Sequence, residues 1–125
     1  MATQIADLWG GFQPAEVRSP LSILRQQASL LGDKTGHLVE ARVDSRAQYK
    51  EFFHSFRLVV PALDDYTYEL FRISHTIDLY PISVRWKDER VELETEEAFV
   101  DWLSSCLSSE ATKRIISTLM AQAAA

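Results

Sequence analysis

The sequence predicts a two-layer α+β domain. An N-terminal helix leads into a four- to five-stranded antiparallel meander, and two C-terminal helices pack on one face of that sheet. Three observations carry the prediction. Between Phe52 and Trp86 lie three runs rich in β-branched and aromatic residues, split by turn-like breaks. Ahead of them, Ser19-Pro20 opens a stretch with apolar residues at helical spacing. Behind them, two further stretches have the same spacing, each preceded by a Thr or Ser suited to an N-cap.

The elements follow in chain order. Residues 1–18 form an N-terminal arm, with a short helix expected over Ala2 to Leu8, ended by Gly10-Gly11. Trp9 and Phe12 flank that hinge, either docked on the domain's own core edge or free to anchor a partner. The domain proper spans residues 19–122, and 123–125 are a frayed tail. The first domain helix carries Leu21, Leu24, Ala28 and Leu31, widened by Ile23 and Leu30, with Gly32 as its natural C′ residue. In His37 to Val43 the residues Val39, Ala41 and Val43 share one parity, which predicts a half-buried strand. Asp44 to Lys50 then reads as a polar connection.

The central runs are Phe52–Val60, Tyr66–Ser74 and Tyr80–Trp86. Pro61 to Asp65 has hairpin-loop composition. Parity places Phe56, Leu58, Val60, Tyr68, Leu70, Ile82, Val84 and Trp86 on the core face. It places Phe53, Arg57, Val59, Glu69, Phe71, Ile73 and Arg85 on the other. A hairpin centred on Leu63 sets Arg57 opposite Glu69, and a second register sets Arg85 on Glu69's far side, giving an Arg57–Glu69–Arg85 row. Arg90 to Glu94 predicts a charged edge strand. Thr95 caps a helix with Phe99, Trp102, Leu103, Cys106 and Leu107 as its stripe, and Ser108-Ser109-Glu110 starts the last helix, with Ile115, Ile116, Leu119 and Met120 inward.

Composition bounds the function. The 125 residues are 46% hydrophobic and 25% charged, enough for one domain with a core. A net charge of −5 disfavours nonspecific binding to nucleic acid or anionic membrane. The basic cluster Arg85, Lys87 and Arg90 beside Trp86 is interrupted by Asp88 and Glu89, and no aromatic RNA-binding motif accompanies it. One cysteine permits no internal disulfide. No run approaches a membrane span and the N-terminus lacks a signal-peptide pattern, so a cytoplasmic protein is expected.

Chemistry is sparse. His37, His54 and His75 have no local metal spacing, and no metal or cofactor is expected. Cys106 sits on an apolar stripe, the setting of an inert buried thiol. Phosphate-binding, dinucleotide and nucleophile-elbow motifs are absent. The expectation is therefore a non-enzymatic protein-binding domain: an adaptor, accessory subunit, or inhibitor- or chaperone-like partner. It would bind another protein, or its own copy, through Phe53, Val59, Phe71 and Ile73 on the second sheet face and through Trp9 and Phe12. The alternative is a small-molecule or enzymatic pocket between sheet and helices, lined by His54, Tyr68, Trp86 and Trp102.

Overall fold

The computed structural model describes residues 4–125. One helix, α1 (Pro20–Lys34), precedes five strands: β1 (Glu40–Gln48), β2 (Glu51–Val60), β3 (Tyr66–His75), β4 (Ile82–Trp86) and β5 (Glu89–Leu93). Two helices close the chain, α2 (Glu96–Leu107) and α3 (Glu110–Ala123). The strands form one antiparallel sheet in the order β1-β2-β3-β4-β5, the predicted meander.

Local chemistry fixes the helix starts. The side chains of Ser19, Thr95 and Ser109 accept hydrogen bonds from the N–H groups of Ser22, Ala98 and Thr112, satisfying donors that no helical carbonyl can reach. At the other end of α1, Gly32 lies inside the helix. The helix continues to Lys34, Thr35 is the C-cap, and Gly36 takes the left-handed turn at φ 60°. Leu30 faces solvent, while Ile23, Leu24 and Ala28 are buried. The arm differs from expectation too. Ala2 lies outside the described residues, and from Gln4 to Leu8 the chain is irregular rather than helical.

The first strand begins later and runs further than expected, from Glu40 to Gln48. Asp44, Arg46 and Gln48 continue the outward set and Ser45 and Ala47 the inward one. Their small inward side chains hide the alternation from a hydrophobicity reading. Only Tyr49 and Lys50 then form the turn, with Gln48 opposite Glu51.

The most consequential correction is in β3. The register with β2 holds from Val60↔Tyr66 to Arg57↔Glu69, as a hairpin centred on Leu63 requires. It then slips by one, so that Phe56 faces Phe71. Leu70 is the extra residue of a β-bulge. Beyond it the parity of β3 inverts, and Phe71 and Ile73 turn inward with His75. Phe71 is 2% exposed and Ile73 0%. Both belong to the core, not to a partner surface.

The same slip moves the next hairpin. Arg85 is opposite Arg72 and not beside Glu69. Glu69 instead bridges Arg72 at 3.2 Å and Arg57 at 3.9 Å. Arg57 also sits 3.1 Å from Asp44, as an ion pair without hydrogen-bond alignment at Nε.

One core forms between the sheet and all three helices. Phe56, Leu58, Val60, Phe71, Ile73, Ile82, Val84 and Leu93 meet Ile23 and Leu24 of α1, Phe99, Leu103 and Cys106 of α2, and Leu119 of α3. Phe56 stacks on Phe71 with 5.1 Å between ring centroids, and Trp102 meets Phe71 edge-on at the same distance. No helix among the described residues is long and apolar enough to cross a membrane.

Candidate functional site

The N-terminal arm leaves the domain at a built anchor. The Arg18 backbone N–H donates to Glu96 Oε1 at 2.8 Å, and its guanidinium donates to Oε2 through Nε at 3.2 Å and Nη2 at 3.1 Å. These bonds hold the Glu96 carboxyl below its ordinary pKa, the backbone N–H first and the guanidinium second. Tyr80 adds a bond from its hydroxyl to the Arg18 carbonyl at 3.1 Å. Burial, and then the nearby Glu96 charge, push this phenol up to about 12, against the opposing pull of Arg18. It therefore remains a donor at neutral pH.

Beyond the anchor the arm buries little. Ile5, Leu8, Trp9 and Phe12 are all exposed, Trp9 at 79% and Phe12 at 71%. Neither aromatic docks on the domain's core. They meet each other, edge to face, with centroids 5.9 Å apart. Asp7 accepts the Trp9 N–H at 3.0 Å, and Gly10 takes φ 78°, a conformation that favours glycine. The arm thus presents a tight aromatic turn to solvent.

The four residues expected on the second sheet face separate. Phe71 and Ile73 are core, as shown above. Val59 does face away from the helices, but it is 8% exposed, between Glu40 and Thr67 on the flanking strands. Phe53 is half-buried, with the Arg46 guanidinium 4.7 Å from its ring centroid. The solvent face is consequently ionic around one aromatic, rather than an apolar patch.

The alternative pocket also divides. Tyr68 and Trp86 line one cleft of about 500 Å³, below the β4–β5 turn. Trp102 meets Trp86 edge-on at 5.9 Å from inside the core, without lining that cleft. His54 lies elsewhere in a buried chain of hydrogen bonds. Ser45 Oγ is 2.8 Å from its Nδ1, and His75 Nε2 is 3.0 Å from its Nε2. His75 Nδ1 in turn is 2.6 Å from the Thr76 carbonyl and must donate to it. In the neutral pair His54 Nε2–H then donates to His75, and Ser45 donates to His54. Burial first, then the neighbouring His75 and Arg25, lower His54 to about 4. The chain thereby satisfies the ring nitrogens of the two buried histidines.

A second cleft, of about 440 Å³, opens between the C-terminal half of α1 and the α2–α3 corner. Its walls are largely apolar, with Leu31, Phe56, Leu58, Leu70, Leu107 and Ile116, and Lys34 and Lys113 also line it. Cys106 is buried nearby in the core, and burial pushes its thiol up to about 12, which keeps it protonated and inert. Among the described residues no group of three His, Cys, Asp or Glu side chains is arranged to hold a metal ion.

Sequence reasoning missed the pairing of His54 with His75 and the row formed by Arg72, Arg85 and Arg90. Both depend on cross-strand register past the bulge, which no spacing along the chain reveals. Comparison with family models, curated proteins and solved structures found no match to this chain.

Proposed function

We propose that this protein is a non-enzymatic protein-binding domain of the cytoplasm, an adaptor or accessory subunit. Its N-terminal arm is the principal anchor. One observation carries the reading: Trp9 and Phe12 stand 79% and 71% exposed on a segment fastened to the domain at Arg18 and Glu96. Large aromatics are the usual hot-spot residues, since they bury much surface while fixing few torsions. Phe53 on the solvent face is a secondary contact. The partner is another protein or a second copy of this chain, and the buried thiol and single cysteine agree with a reducing compartment.

The test compares wild type with a Trp9→Ala, Phe12→Ala double variant. Light scattering gives each mass, and an affinity pull-down from host extract gives each set of bound proteins. A wild type that self-associates or retains a stoichiometric partner, with at least about tenfold loss in the double variant and an unchanged circular dichroism spectrum, is the expected result. Equal retention by both proteins refutes the arm as anchor. A partnerless monomer shifts the function to the cleft between α1 and the α2–α3 corner, whose apolar walls and two lysines suit an amphipathic small molecule.

A further inference from the structure

The solvent face of the sheet holds six arginines, Arg42, Arg46, Arg57, Arg72, Arg85 and Arg90, against five carboxylates, Glu40, Asp44, Glu51, Glu69 and Glu92. That balance is unusual in a chain with net charge −5. The arginines are not spread evenly. Arg72 is directly opposite Arg85, and Arg85 directly opposite Arg90, so three arginines occupy facing positions on three adjacent strands. Like charges in directly opposed positions destabilise a sheet. The outer two are partly neutralised, Arg72 by Glu69 at 3.2 Å and Arg90 by Glu92 at 3.6 Å. The central Arg85 has no carboxylate partner among the described residues.

We propose that this row is a binding site for a phosphomonoester dianion. The three arginines line a shallow concavity of about 190 Å³, together with Phe53, Ser74, Ser83 and Glu51. Ser74 and Ser83 are themselves cross-strand partners, and they form the next row beside the arginines. Ser83 is already oriented by the Arg90 Nε–H, which donates to its Oγ at 2.9 Å. That acceptance leaves the Ser83 hydroxyl proton free to point into the concavity. The lining holds three arginines and one carboxylate, Glu51. Glu69 and Glu92 outside it offset Arg72 and Arg90, so the unpaired Arg85 is the charge that an incoming anion meets first. Planar guanidinium forks match phosphate oxygens in pairs, and a tetrahedral group can use three forks and two hydroxyls where a carboxylate, with two oxygens, cannot. The site is independent of the arm, and it stands whether or not the arm binds a protein.

The chemistry is shared by a small phosphorylated metabolite and a phosphorylated side chain, so the first probe is inorganic phosphate alone. Arginine Nε–H resonances are followed by NMR while phosphate replaces chloride at constant ionic strength. Saturable shifts at Arg72, Arg85 and Arg90, at least about tenfold weaker binding by Arg85→Ala, and no such response at Arg42 are expected. Thermal unfolding supplies a second readout with the opposite sign. In low-salt buffer without phosphate, Arg85→Ala should match or exceed the wild-type Tm, because it removes repulsion. In phosphate the wild type should rise and the variant should not. Shifts that never saturate, or that persist in Arg85→Ala, overturn the proposal. So does a lower Tm for that variant without phosphate, which would make Arg85 a structural residue. Competition by a phosphoserine peptide or by a nucleoside monophosphate, whichever displaces phosphate at lower concentration, identifies the source of the group.

Discussion

His54 shows how a single residue ties the fold to pH. It is 4% exposed, and both its ring nitrogens are engaged, by Ser45 and by His75. In the folded chain its pKa is lowered from 6.5 to about 4, chiefly by burial. The unfolded chain binds a proton at His54 as the pH drops through about 6.5, while the folded chain does not until about 4. Within that window the unfolded state holds more protons, so stability falls as the solution is acidified. The slope approaches 1.4 kcal/mol per pH unit, and the total loss is on the order of 2 kcal/mol once solvent relaxation is allowed for. Urea titrations at pH 7.5, 6.0 and 5.0 measure it. His54→Gln keeps a donor toward His75 and an acceptor toward Ser45, yet does not titrate. Its stability should change less over the same range, and an unchanged slope would place the acid sensitivity in other groups.

At the scale of elements, strands and helices were legible wherever their chemistry is local. Caps at Ser19, Thr95 and Ser109 need only a hydroxyl at the right offset, and the core stripe of α2 needs only 3.6-residue spacing. The β2–β3 hairpin was legible down to the Arg57↔Glu69 pair. What failed began at one residue. The extra Leu70 inverts every later face of β3, so Phe71 and Ile73 look solvent-facing by parity and are core in fact. Both bulge partners are apolar, and nothing in the sequence marks the insertion. The β1–β2 turn was missed for a different reason. Tyr49 stands at φ 58°, where glycine or asparagine is the usual occupant, and a tyrosine advertises no turn. The side chain is 96% exposed, so no packing offsets the backbone strain. Tyr49→Asn should therefore stabilise the domain by about 0.5–1 kcal/mol in chemical unfolding, since asparagine tolerates the left-handed region with less cost. A loss of stability instead would mean that the tyrosine makes a contact in solution that its exposure here conceals.

For the whole molecule, the open matter is the division of labour between domain and arm. The domain's core is continuous from α1 through the sheet to α3, and Trp9 and Phe12 add nothing to it. The arm and the domain meet at a polar clasp of Arg18, Glu96 and Tyr80. Residues that bury little apolar surface against the fold contribute little to its stability, however hydrophobic they are. Removing residues 1–16 while keeping Arg18 and Glu96 should therefore shift the Tm by no more than about 2 °C, a fraction of a kcal/mol for a chain of this size. Scanning calorimetry on the two forms decides it. A larger fall would reveal that the arm folds back in solution, and the apolar cleft of about 440 Å³ beside Lys34 and Lys113 is the place with room and chemistry to receive an aromatic segment carrying Asp7. An unchanged Tm combined with lost partner capture would separate folding from binding cleanly. The domain would then be the scaffold, and the arm would be kept for a surface other than its own.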